Sequence, residues 1–156
     1  MTLTSTAFSY GEKIPEQFTG DGQNMSPELS WTGASQQTES FVLVLHDPDA
    51  PQDNGFVHWV VYNIPPTVNH IAENVARDAS VPELGMQGKN DGGEIGYAGP
   101  CPPRGTHHYF ARLYALRAKL DLQPGAAYRE VSMAMQGKVI EQAQLMGTYE
   151  KTRKAA

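Results

Sequence analysis

Four side chains in this sequence, Asp47, His58, His107 and Tyr109, carry groups suited to holding a small anion, and each stands at one end of a β-favouring run. Asp47 follows Phe41-Val42-Leu43-Val44-Leu45-His46. His58 opens His58-Trp59-Val60-Val61-Tyr62-Asn63. Tyr109 opens Tyr109-Phe110-Ala111-Arg112-Leu113-Tyr114-Ala115-Leu116, directly after His107 and His108. Imidazoles and a phenol donate hydrogen bonds, and a protonated imidazole adds positive charge. A carboxylate beside an imidazole accepts from one ring nitrogen and so fixes its tautomer. The Gly99-Pro100-Cys101 turn adds backbone N–H groups of the kind that form anion-binding nests. Its prolines stiffen that wall and lower the ordering cost of binding. Together these groups suit phosphate, phosphonate or sulfate.

Each residue also has a plain structural use. Asp before Pro48 is a standard turn starter. Strand aromatics usually fill cores. A lone histidine at a strand end is ordinary. The juxtaposition is what carries chemistry, and topology supplies it: in adjacent antiparallel strands, the end of one lies beside the start of the next.

A second chemistry uses the same groups. Two histidines and one carboxylate match in type the set that holds catalytic metals, and His with Asp can perform general acid–base work. A metal-dependent or acid–base enzyme is therefore the alternative reading. No candidate nucleophile accompanies the set. There is no G-x-x-x-x-G-K-[ST] phosphate loop, no G-x-G-x-x-G fingerprint and no G-x-S-x-G elbow. A single cysteine, Cys101, excludes a paired-cysteine zinc motif and an internal disulfide. The expectation is a binding protein with no catalytic residues, no metal and no cofactor.

The elements that must position these groups are mostly strands. Phe41–Leu45 is continuously apolar, as in a strand buried on both faces. Pro48 and Pro51 end it, and Asp53-Asn54-Gly55 turns the chain toward the second strand. The first third, with Gly20-Asp21-Gly22-Gln23-Asn24 before Ser26-Pro27, reads as loop-rich. Residues 88 to 105 form a Gly/Pro-rich loop long enough to suggest function. Helical spacing appears late, over Ala126 to Met135, with Val131, Ala134, Met135 and Val139 at i, i+3, i+4 and i+8, Pro124-Gly125 at its start and Gly137 as an interruption. Leu145 to Glu150 reads as a last strand. The expected class is mostly β, with short helices near the C-terminus, in one domain over residues 1–156.

Composition narrows the partners. The 156 residues carry a formal charge of −5, with a pI near 5.5. This argues against nucleic-acid binding, which needs a positive field. The longest apolar run falls far short of the ~20 residues that span a bilayer, so no transmembrane segment is expected. The start of the chain has neither a basic segment nor an apolar stretch, and with one cysteine the expected location is cytoplasmic.

The same segments resemble the phosphatidylethanolamine-binding protein family. Asp47-Pro48-Asp49-Ala50-Pro51, His58-Trp59-Val60-Val61-Tyr62-Asn63, and Gly99-Pro100-Cys101-Pro102-Pro103-Arg104-Gly105-Thr106-His107-His108-Tyr109 look like its two signature regions. Gly20 to Trp31 is similar to its N-terminal D-G-x-N-x-S-P-x-L-x-W stretch. The short acidic chain is most similar to the bacterial Raf-kinase-inhibitor-like branch, of YbhB/YbcL type. The resemblance implies a Greek-key β-sandwich with small helices outside. It implies an anion pocket lined by Asp47, His58, Gly99, Pro100, Cys101, His107 and Tyr109, with walls shaped by Asp49, Pro51 and Pro102. It implies a phosphate-like ligand, with a kinase or protease partner and a homodimer as further expectations. One departure is His108, where the family often carries Arg.

Overall fold

The run Phe41–Leu45 forms the middle of a six-stranded sheet, paired on both sides. In the computed structural model, which describes residues 1–151, the strands are β1 (Thr2–Thr4), β2 (Leu29–Thr32), β3 (Ser40–Asp47), β4 (Phe56–Ile64), β5 (His70–Ile71), β6 (Ser80–Val81), β7 (Gly85–Gln87), β8 (Thr106–Leu116) and β9 (Val139–Glu150). The larger sheet has the order β6-β7-β4-β3-β8-β9, the smaller β1-β2-β5, and every pairing within them is antiparallel.

Both faces of the larger sheet are covered, which explains the unbroken apolar pattern of β3. Phe41, Leu43 and Leu45 pack with Trp31, Leu29 and Ile71 of the smaller sheet. Val42 and Val44 face the other way, toward Val131 and Met135 of the helix α1 (Tyr128–Met135). Each such side chain, fully buried, contributes roughly 1.5–3 kcal/mol.

The faces of β4 do not follow simple alternation. Leu45 pairs with Trp59, but the next residue, His46, pairs with Val57, so His58 is one residue in excess. Val57 and Val60 both lie on the helix-covered face, and Trp59 lies on the opposite one. The bulge lets His58 join Trp59 instead of Val57, because an extra residue re-aims the chain locally.

Two sequence expectations change. The expected C-terminal helices reduce to one α-helix among the described residues, ending at Met135. Gly137 interrupts the helical spacing as expected: it turns the chain at φ 77°, and Val139 begins β9. The last strand therefore starts six residues before Leu145. The loop-rich first third also holds the short strands β1 and β2 and a 3-10 turn at Glu16–Phe18. These short pieces lack a long alternating pattern and are held by pairing with distant segments.

Candidate functional site

Past the core, the inner face of the larger sheet continues as a row of polar groups. Asp47 sits one step beyond Leu45 on that face, and His107 and Tyr109 precede Ala111 and Leu113 on theirs. The β3–β8 register, His46 opposite Phe110, brings the two rows together. The bulge adds His58. The result is a pocket of about 290 Å³ lined by Asp47, Phe56, His58, Ala98, Gly99, Cys101, His107 and Tyr109, with Ala50, Pro51, Gln52, Pro102 and Pro103 at its sides.

Of the residues expected here, Asp47, His58, Gly99, Cys101, His107, Tyr109, Pro51 and Pro102 line the pocket. Pro100 and Asp49 do not. Pro100 is turned to the wall's back, where its carbonyl accepts from the Gly20 N–H at 2.8 Å. Asp49 accepts from the backbone and the ring Nδ1 of His108, at 2.8 and 2.7 Å, on the outer side of β8. The His108 side-chain bond holds the Asp49 carboxyl below its ordinary range. His108, the departure from the family pattern, thus ties the loop after β3 to β8 and adds nothing to the pocket lining. Ala50, Gln52, Phe56, Ala98 and Pro103 line the pocket and were missed in the sequence reading. Phe56 is two residues before His58, and its ring lies 4.7 Å from the imidazole.

The imidazoles are oriented by their Nδ1 atoms. His107 Nδ1 donates to Asp47 Oδ2 at 2.6 Å, and His58 Nδ1 donates to the Ala98 carbonyl at 2.7 Å. Asp47 Oδ1 accepts from the Asp49 N–H at 2.8 Å, so Asp47 serves both the turn and the histidine. Burial pushes His58 below its ordinary pKa. Its bond to Ala98 and the charges of Asp47 and Asp91 oppose this, and His46 adds to it. These influences favour the neutral ring in the ligand-free protein.

Tyr109 sits between the two rings, 5.4 Å from His58 and 6.4 Å from His107. The residue is 1% exposed, and its phenolic oxygen has no hydrogen-bond partner. Burial first, then the Asp47 charge, raises its pKa far above the ordinary value, so the phenol stays protonated. A buried hydroxyl without a partner costs about 1–3 kcal/mol; the Trp31 Nε1–H is also buried and unpaired, but it lies in the core, whereas Tyr109 lines the pocket.

The Gly99–Cys101 wall is braced from behind. Asn24 Oδ1 accepts from the Gly99 N–H at 2.7 Å. A Cβ on residue 99 would stand 2.5 Å from that oxygen and 2.7 Å from the Phe18 carbonyl, so only glycine fits. The expected nest is correspondingly reduced: Gly99 has spent its N–H and Pro100 has none, which leaves that of Cys101. Ala98 is fixed in turn by its N–H bond to the His58 carbonyl at 3.0 Å.

His46 and His70, unassigned in the sequence reading, have structural partners. His46 Nε2 donates to the Asn54 carbonyl at 2.6 Å, while its Nδ1 accepts from Arg112 at 2.9 Å. His70 pairs with Glu28 at 3.0 Å. Among the described residues no cluster of three or more His, Cys, Asp or Glu side chains is arranged to hold a metal ion. No helix among them is long and apolar enough to cross a membrane.

Comparison with known proteins agrees with this architecture. The family profile described as phosphatidylethanolamine-binding protein matches residues 4–150. A UPF0098 protein of Methanothermobacter thermautotrophicus is 47% identical, covering 96% of this chain and 98% of the relative. One from Aquifex aeolicus is 43% identical, covering 97% and 89%. The crystal structure of a phosphatidylethanolamine-binding protein homologue from Chlamydia trachomatis superposes with a TM-score of 0.88 at 40% identity, covering 97% of both chains. E. coli YbcL superposes with a TM-score of 0.88 at 32% identity, covering 97% of this chain and 98% of its own. With the matched profile spanning nearly all the strands that build the pocket, the chain belongs to the phosphatidylethanolamine-binding protein family.

Proposed function

We propose that the pocket binds a small phosphate-like anion and does not turn it over. The observation that carries this is the Tyr109 phenol, a buried, permanently protonated donor with no protein acceptor, flanked by two imidazoles in an open pocket. An oxyanion oxygen would complete it. Family membership supports the same ligand class. The enzymatic alternative finds less support. Both oxygens of Asp47 accept protein hydrogen bonds, which suits an orienting group better than a metal ligand or a free base. The Greek-key order of the sheets and a single domain over residues 1–156 belong to this reading. A kinase or protease partner and a homodimer are expectations from the resemblance, and a cytoplasmic location is the expectation from the N-terminal composition and the single cysteine.

Titration with inorganic phosphate, followed by amide NMR, tests the proposal. Resonances of Ala98, Cys101 and Tyr109 should move together, with a Kd on the order of 0.1–10 mM, since so small a ligand makes few contacts. Shifts scattered over the surface, or none, would overturn it.

A further inference from the structure

The sequence holds one cysteine, Cys101, and the fold sets it in the pocket wall with its side chain exposed. Its backbone is tightly constrained. Pro100, Pro102 and Pro103 each fix their own φ. The Pro100 carbonyl accepts from the Gly20 N–H at 2.8 Å, and Pro102 is buried. Gly20 lies directly against the cysteine: a Cβ there would stand 3.0 Å from Cys101 Cβ and 3.4 Å from its Sγ. Because residue 20 is glycine, no side chain crowds the sulfur from that side.

Two observations separate this thiol from an ordinary surface cysteine. Tyr109 lines the same cavity, is 1% exposed, and has a phenolic oxygen with no hydrogen-bond partner, so the cavity offers a donor that a ligand can satisfy. The Cys101 N–H is the one N–H of the Gly99–Cys101 wall left for that ligand, since Gly99 donates to Asn24 and Pro100 has none. A group attached to Sγ therefore stands beside the atoms that would hold the ligand. With no second cysteine in the chain, a disulfide at this position is made with a thiol from outside it.

We infer that Cys101 is a site of reversible S-thiolation by small disulfides, and that the adduct closes the pocket to its ligand. The inference rests on the anion-binding reading and adds a redox control to it. In the reaction the Cys101 thiol loses its proton to solvent, and the thiolate sulfur attacks one sulfur of a disulfide R–S–S–R. The S–S bond of the reagent breaks, the Cys101 Sγ–S–R bond forms, and RS⁻ leaves and takes up a proton as RSH. Cys101 is oxidised and one half of the reagent is reduced. An excess of small thiol runs the same exchange backwards and reopens the pocket.

The test treats the full chain with 2-hydroxyethyl disulfide, follows the adduct by intact mass, and titrates inorganic phosphate by amide NMR, all at constant pH and ionic strength. One adduct per chain is expected, with phosphate affinity reduced at least about tenfold and restored by dithiothreitol. Phosphate should also protect the thiol. At about five times its Kd it should slow the modification about sixfold, because only the unliganded fraction reacts. Cys101→Ser should take up no adduct, and its phosphate affinity should not respond to the disulfide. A complete adduct with unchanged phosphate affinity, or modification at one rate with and without phosphate, would overturn the inference and leave the anion site standing. So would the absence of an adduct under conditions that convert free cysteine, or a loss of affinity accompanied by shifts throughout the strands, which is unfolding. Reduced protein that binds no phosphate would overturn the anion reading and this inference with it.

Discussion

Asp47 and His107 are joined through Oδ2 and Nδ1 at 2.6 Å, and the second oxygen of Asp47 is occupied by the Asp49 N–H. Both oxygens must therefore be acceptors. Asp47→Asn keeps size and shape but retains one acceptor, so either His107 or the Asp49 N–H faces an NH₂ group. Urea denaturation should show a loss of about 1–3 kcal/mol, with a changed His107 ring tautomer by nitrogen NMR. An unchanged midpoint and tautomer would mean that the pair orients nothing.

Tyr109→Phe separates fold from function. Removing a buried hydroxyl without a partner should leave stability unchanged or raise it by up to about 1 kcal/mol, since no protein bond is lost. Phosphate affinity should fall about three- to tenfold, the value of one hydrogen bond. A destabilised variant would reveal a partner for the phenol inside the protein. An undiminished affinity would remove the phenol from the anion site.

The pH dependence of the ligand-free protein follows from His58. Its folded pKa is lowered, chiefly by burial, so the unfolded chain binds the proton more readily. The associated stability is fully present above the unfolded value of about 6.5 and is lost as pH falls from there through the folded pKa. Chemical denaturation between about pH 7.5 and 5 should show this decline, and His58→Gln should flatten it. A slope identical in the variant would assign it to other groups.

Gly99→Ala puts a methyl group into a space already filled by Asn24 Oδ1 and the Phe18 carbonyl. Expected is a loss of about 1–3 kcal/mol, the usual range for overpacking. Phosphate binding should weaken too, because the displaced wall carries Ala98 and Cys101. Asn24→Ala, which vacates one of three obstacles, the others being the Phe18 carbonyl and the Thr19 Cα, should recover part of the stability when combined with Gly99→Ala. No recovery would place the strain at the Phe18–Thr19 backbone.

Much of the site was legible because strand alternation is regular. Once β3 and β8 are recognised and taken as neighbours, Asp47, His107 and Tyr109 must share a face with the core side chains Leu45 and Ala111. The resemblance agreed with the antiparallel topology, which brought His58, at the start of the second strand, to the same edge. What could not be read was why it points there, since a bulge is a matter of pairing with a partner strand and leaves no mark in the composition of β4. Asn24 was equally hidden. It lies 75 residues from Gly99 in the chain, and a short amide in a Gly-rich stretch looks like turn chemistry. Pro100 and Asp49 were misplaced for the complementary reason: a residue adjacent in sequence to a pocket residue often faces away from it. The small sheet escaped notice because strands of two to four residues offer too few alternations to count.

The extra residue in β4 has a meaning of its own. A strand has a reading frame of two, and every side chain beyond a given point takes its face from the parity of the count. Between Val57 and Trp59 the frame slips by one, and the imidazole of His58 lies at the slip. Losing a single residue there would restore the frame and send His58 to the helix-covered face, among Val44, Val60 and Tyr62, without altering any side chain of the pocket. The sheet would gain a regular ladder, and the pocket would lose one of its two imidazoles. In this fold the second imidazole is placed by parity, so an insertion or deletion can move it into or out of the pocket with the histidine itself unchanged.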